Sequence, residues 1–73
     1  MTNVIPINAI IQITNTEHHL YRCFLCVTTQ SEDTGNVVAY IDYPVLDKNE
    51  DKYYIKRHEH FIQYEDFNQV GLI

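Results

Sequence analysis

The sequence predicts an all-β chain: a small, curved antiparallel sheet or barrel of four or five strands with an SH3-like or OB-like layout. Three observations carry that expectation. Apolar residues recur with a period of two, β-branched and aromatic residues gather in runs of strand length, and no segment shows an apolar stripe at helical spacing over three turns. A chain of 73 residues without a repeat or a Pro/Gly-rich linker is expected to form one domain over 1–73. Domains of this size bury only about 60% of the surface of the unfolded chain, so a dimer interface, a metal or a disulfide is a natural source of added stability.

The first strand is expected in "NAIIQIT", where Ala9, Ile11 and Ile13 share one face and Gln12 and Thr14 the other. "NTEHHL" then reads as a turn. In "LYRCFLCVTT" both alternating faces carry apolar groups, which suits a central strand. "QSEDTGN" has hairpin chemistry in its Asp-Thr-Gly-Asn core, so "NVVAYIDYPV" should return antiparallel to the second strand. Pro44 should end this third strand or place its end on an edge, and "LDKNEDK" is a polar turn leading into the next hairpin strand.

The segment "KYYIKRHEHFIQY" decides the remaining layout. As one unbroken strand it would set Tyr53, Ile55 and Phe61 on a face with Arg57, Glu59 and Gln63, burying charge beside apolar groups. The pattern therefore predicts a break: a fourth strand over 53–56, a turn through Arg57–His60 and a fifth strand over 61–65. Lys56, Arg57, His58 and His60 would then form a solvated corner.

Charge narrows the function. The formal net charge is −5, whereas a nucleic-acid binder of this size ordinarily carries a basic excess that displaces phosphate counterions. The N-terminal stretch has no basic residue before its apolar part and no small-residue cleavage pattern, and no segment has the length of a membrane span, so a cytoplasmic protein that does not enter membranes is expected. Two cysteines are too few for a disulfide-stapled scaffold.

Zinc is the first chemistry to weigh, because Cys23-x₂-Cys26 and His58-x-His60 supply four ligands of suitable type. Residues three apart in a strand face opposite sides, however, and the histidines are closer than the usual His-x₃₋₅-His, so Cys23 and Cys26 are expected as small core residues and no cofactor is expected. The same cysteines lack the helix N-terminus of a redox motif. No carboxylate pair, Ser/His/Asp grouping or phosphate loop stands out, so a non-enzyme is expected. His18 and His19 fit an exposed turn with a pH-sensitive loop as the functional alternative.

Six tyrosines are more than one small core can fill. Tyr53 and Tyr54 are adjacent, so one must face outward from a strand, and tyrosine is enriched in protein interfaces. The sequence thus points to a non-catalytic, acidic protein that binds another protein as adaptor, assembly subunit or inhibitor, or pairs with a second copy of itself, through Tyr53, Tyr54, Lys56, Arg57, His58 and His60. A nucleic-acid-binding barrel using Arg22, Lys56, Arg57 and tyrosine stacking is the alternative, and a small zinc domain the third.

Overall fold

The computed structural model describes residues 3–73. It contains β1 (Ala9–Ile13), β2 (Phe24–Gln30), β3 (Val37–Asp47), β4 (Lys52–Ile62), a single 3₁₀ turn (Tyr64–Asp66) and β5 (Phe67–Leu72). All five strands belong to one antiparallel sheet in the order β4-β3-β2-β1-β5. The all-β expectation holds, and β2 lies at the centre as its two apolar faces require. The sheet is not closed into a barrel, since β4 and β5 are its two edges.

Chain connectivity dictates the curvature. A flat five-stranded sheet would hold its edge strands roughly 19 Å apart. The link from Ile62 to Phe67 contains the 3₁₀ turn, and such a link reaches only about 13 Å. The sheet must therefore curl to bring its edges toward each other, and register shifts at Ile10/Ile11 and at Val27/Thr29 supply local bends.

The concave face holds the core: Ala9, Ile11 and Ile13 from β1, Leu25 and Val27 from β2, Val37 and Ala39 from β3, Ile62 from β4 and Phe67 from β5. Ile5, Leu20, Cys23, Ile41 and Tyr64 pack around its margin. Two polar clasps tie the connecting segments to the sheet. The Asp66 carbonyl accepts from the backbone N–H groups of Thr14 and Asn15, and Asn15 Nδ2 donates to Asp66 Oδ1 at 2.8 Å. On the other side Gln30 Oε1 accepts from the Ile5 N–H, while Gln30 Nε2 donates to the carbonyls of Asn3 and Gly35.

The expected hairpin between β2 and β3 is present, with Gly35 at φ 78° and its N–H donating to the Ser31 carbonyl. That left-handed conformation is why glycine stands there.

The expected break at Arg57–His60 is not present. β4 runs without interruption from Lys52 to Ile62 and pairs with β3 at every position from Asp47 to Val37, while the last strand lies at Phe67–Leu72 rather than at 61–65. The expectation assumed that a continuous strand would have to bury its charges. Instead β3 leaves its neighbour β2 after Tyr40, and from there β3 and β4 continue as a two-stranded ribbon with water on both sides. The ribbon gives the molecule its 50 × 25 × 19 Å shape. Pro44 lies inside β3, in the part that has lost β2, so its missing N–H leaves no ladder partner unpaired.

Candidate functional site

The ribbon presents two rows of side chains, fixed by its register. On the convex side, cross-strand pairs run Tyr40/Glu59, Asp42/Arg57, Pro44/Ile55 and Leu46/Tyr53. On the concave side they run Ala39/His60, Ile41/His58, Tyr43/Lys56, Val45/Tyr54 and Asp47/Lys52. Of the six residues expected to bind a partner, Tyr53 and Arg57 therefore face one way and Tyr54, Lys56, His58 and His60 the other. Lys56, Arg57 and His58 are exposed, as expected of the corner, and both tyrosines are exposed as well, but His60 is half-buried because Ala39 beside it belongs to the core.

The outer end of the convex row is apolar. Pro44, Leu46, Tyr53 and Ile55 are contiguous across the two strands, and Tyr53 and Ile55 are 72% and 67% exposed. Sequence reasoning found Tyr53 but not Leu46 or Ile55. Their period-two spacing was legible, but that they project past the core was not. None of the six tyrosines is fully buried, which agrees with the excess seen in the sequence.

Further along the same row, Arg57 is committed within the ribbon. Its Nε and Nη2 donate to Asp42 Oδ1 and Oδ2 at 2.9 and 3.1 Å, and its guanidinium carbon lies 3.7 Å from the centre of the Tyr40 ring. The two-point contact holds the Asp42 carboxyl below its ordinary range and raises the guanidinium further. The Tyr40 phenol is raised, first by contact with the Cys26 thiol and then by partial burial.

On the concave side the four histidines form a continuous row. His18 stacks on His19 with ring centres 4.7 Å apart, His19 meets His60 edge to face at 6.1 Å, His60 meets His58 at 5.7 Å, and His58 meets Tyr43 at 5.5 Å. The 14–23 loop brings the first two histidines onto the face where β4 places the other two. The Leu20 N–H donates to His18 Nδ1 at 3.0 Å, which fixes that ring against the loop. Burial pushes His60 below its ordinary value, and His58, His19 and His18 add to the effect. Sequence reasoning treated 18–19 and 58–60 as unrelated groups. Nothing local in either segment signals their meeting.

The cysteines do not join this row. Cys26 is buried on the convex side opposite Tyr40, and Cys23 packs at the core margin, both as free thiols. The Cys23, Cys26, His58, His60 set is thus not gathered in one place. Among the described residues no polar or charged residue is fully buried and no buried side-chain polar atom lacks a hydrogen bond. An open groove of about 790 Å³ lies between the N-terminal segment and β5, bordered by Tyr64, Glu65 and Asn68. Among the described residues Glu65 is the only carboxylate on its rim. Among the described residues no helix is long and apolar enough to cross a membrane.

No protein-family model, no curated protein and no solved structure matches the chain.

Proposed function

We propose that this chain is a non-catalytic, cytoplasmic interaction protein whose binding element is the β3–β4 ribbon. The contiguous apolar patch of Pro44, Leu46, Tyr53 and Ile55 carries the reading, because such side chains contribute nothing to the core from which they project. A rigid tyrosine beside aliphatic neighbours has the make-up of an interface centre, and the Arg57–Asp42 pair and the lysines provide a polar rim. The strand order, with β5 beside β1, supports an SH3-like layout carrying an extended hairpin.

The charge on the ribbon favours a protein partner over nucleic acid. Lys48, Lys52, Lys56 and Arg57 are four of the five basic residues, and Asp42, Asp47, Glu50, Asp51 and Glu59 outnumber them within the same hairpin. A hairpin with a slight acidic excess on an acidic chain offers little attraction to phosphate. Adaptor, assembly subunit and occluding inhibitor are the roles that fit this surface.

Affinity capture from the native cell, run in parallel with wild type and the Tyr53→Ser/Ile55→Ser variant, tests the proposal. A protein retained by wild type and lost by a variant with an unchanged circular dichroism spectrum is the expected result. Identical captured sets would refute a role for the ribbon. Oligonucleotide binding that weakens steeply with salt would instead establish the nucleic-acid alternative.

A further inference from the structure

We propose that His19, His58 and His60 form a binding site for a divalent transition-metal cation of the zinc, nickel or copper class. The unbroken course of β4 makes the site possible. Residues two apart in a strand share a face, so His58 and His60 stand side by side on the concave row instead of diverging around a turn. His19 reaches them from a loop more than thirty residues away in sequence.

Two of the three ring spacings come near those of a shared ion. An imidazole bound at a metal–nitrogen distance of about 2.0 Å has its ring centre about 3 Å from the ion, so two ligands at a tetrahedral angle have ring centres about 5 Å apart. The separations here are 5.7 Å for His58 and His60 and 6.1 Å for His19 and His60. The rings now pack edge to face, and among the described residues no three ligand-type side chains already converge on one point. Binding requires the three side chains to rotate toward one point, and the partly exposed row leaves them room to do so.

The surroundings restrict the ligand set to imidazoles. Glu59 projects to the opposite face, as does Cys26, and Lys56 and Tyr43 are the next pair outward on the concave row. His18 is parallel to His19 within 15° and accepts the Leu20 N–H at Nδ1, so it supports His19 rather than aiming at the same ion. Neutral imidazole is the form that binds metal, so the titration is run above the ordinary imidazole range. Borderline cations of this class suit an all-nitrogen set, with water completing the coordination.

The test uses the full chain, stripped with a chelator and dialysed at pH 7.5, titrated calorimetrically with zinc chloride and with nickel chloride. One ion per chain, a raised melting temperature and displaced ring ¹⁵N resonances of His19, His58 and His60 are expected. His58→Gln/His60→Gln should weaken binding by at least about tenfold, whereas His18→Gln should keep it within about threefold. Absence of binding at roughly 100 μM metal, which would leave the melting temperature unchanged, overturns the site. Equal affinity in the double variant, or a loss caused by Cys23→Ala, also overturns it. The ring resonances are read on wild type, so the assignment stays testable even if a variant fails to fold.

Discussion

Arg57 and Asp42 face each other across the β3–β4 ribbon and close a two-point contact, with Nε and Nη2 donating to the two carboxylate oxygens at 2.9 and 3.1 Å. Tyr40, one pair closer to the core, supplies the aromatic face on which the guanidinium lies. Both charged side chains remain well exposed, so the contact orders the ribbon more than it stabilises the fold.

A first prediction concerns the titration of that pair. Asp42 is held down mainly by its hydrogen bonds from Arg57, against a smaller opposing effect of desolvation. In the window below the ordinary carboxylate value of about 3.9 the unfolded chain binds more protons than the folded one, so the stabilisation is present above that value and lost as pH falls through the folded value. Side-chain carboxyl NMR should show Asp42 titrating below the ordinary carboxylate value in wild type. Arg57→Gln should return it toward that value. An unchanged Asp42 curve in the variant would show that the contact does not persist in solution.

Gly35 gives the second prediction. Its φ of 78° lies in the left-handed region, and Gly35→Ala should cost about 1–2 kcal/mol. Urea denaturation should show a lower midpoint with an unaltered slope. A midpoint equal to that of wild type would mean that the hairpin relaxes into another turn.

Much of the sheet was legible because its signals are local. Ala9, Ile11 and Ile13 alternate in sequence and all three are fully buried, and the Asp-Thr-Gly-Asn turn joins the two strands expected to flank it. The run from Tyr53 to Tyr64 misled because alternation was read under the assumption that every strand must bury one face. Whether a strand reaches past its neighbours depends on the unequal lengths of β2 and β3, which neither strand reveals alone. The histidine row was missed for a related reason. The spacing of His58 and His60 was measured against His-x₃₋₅-His, whereas on a continuous strand residues two apart share a face, and their approach to His19 is a property of the curled sheet.

The third prediction tests the clasp that carries the β1–β5 ladder on into the 3₁₀ turn. Asn15→Ala removes the 2.8 Å hydrogen bond to Asp66 and with it one tie between the β1–β2 loop and the 3₁₀ turn. The loss should be about 1 kcal/mol. Amide hydrogen exchange should become faster at Thr14 and Asn15, whose N–H groups donate to the Asp66 carbonyl, and remain unchanged at the far end of the ribbon. Uniform acceleration along the chain would mean that the clasp acts only through global stability.

Two isoleucines separate what holds the fold from what the ribbon offers to a partner. Ile11 is fully buried on the concave face, and truncating it leaves a cavity that the neighbouring core side chains can only partly fill. Ile11→Ala should cost about 2–5 kcal/mol, a large share of the stability of a domain this small. Ile55 is the same residue type in the same kind of structure, yet it stands 67% exposed on the ribbon with Pro44 as its cross-strand partner. Ile55→Ala should change stability by less than about 0.5 kcal/mol, because it removes surface that folding never withdrew from water. Thermal and urea melts of both variants check the contrast. A cost for Ile55→Ala as large as that for Ile11→Ala would mean that the ribbon is already covered in the purified protein, with a second copy of the chain as the available cover. Sedimentation at several concentrations would then show a dimer that Ile55→Ala dissociates.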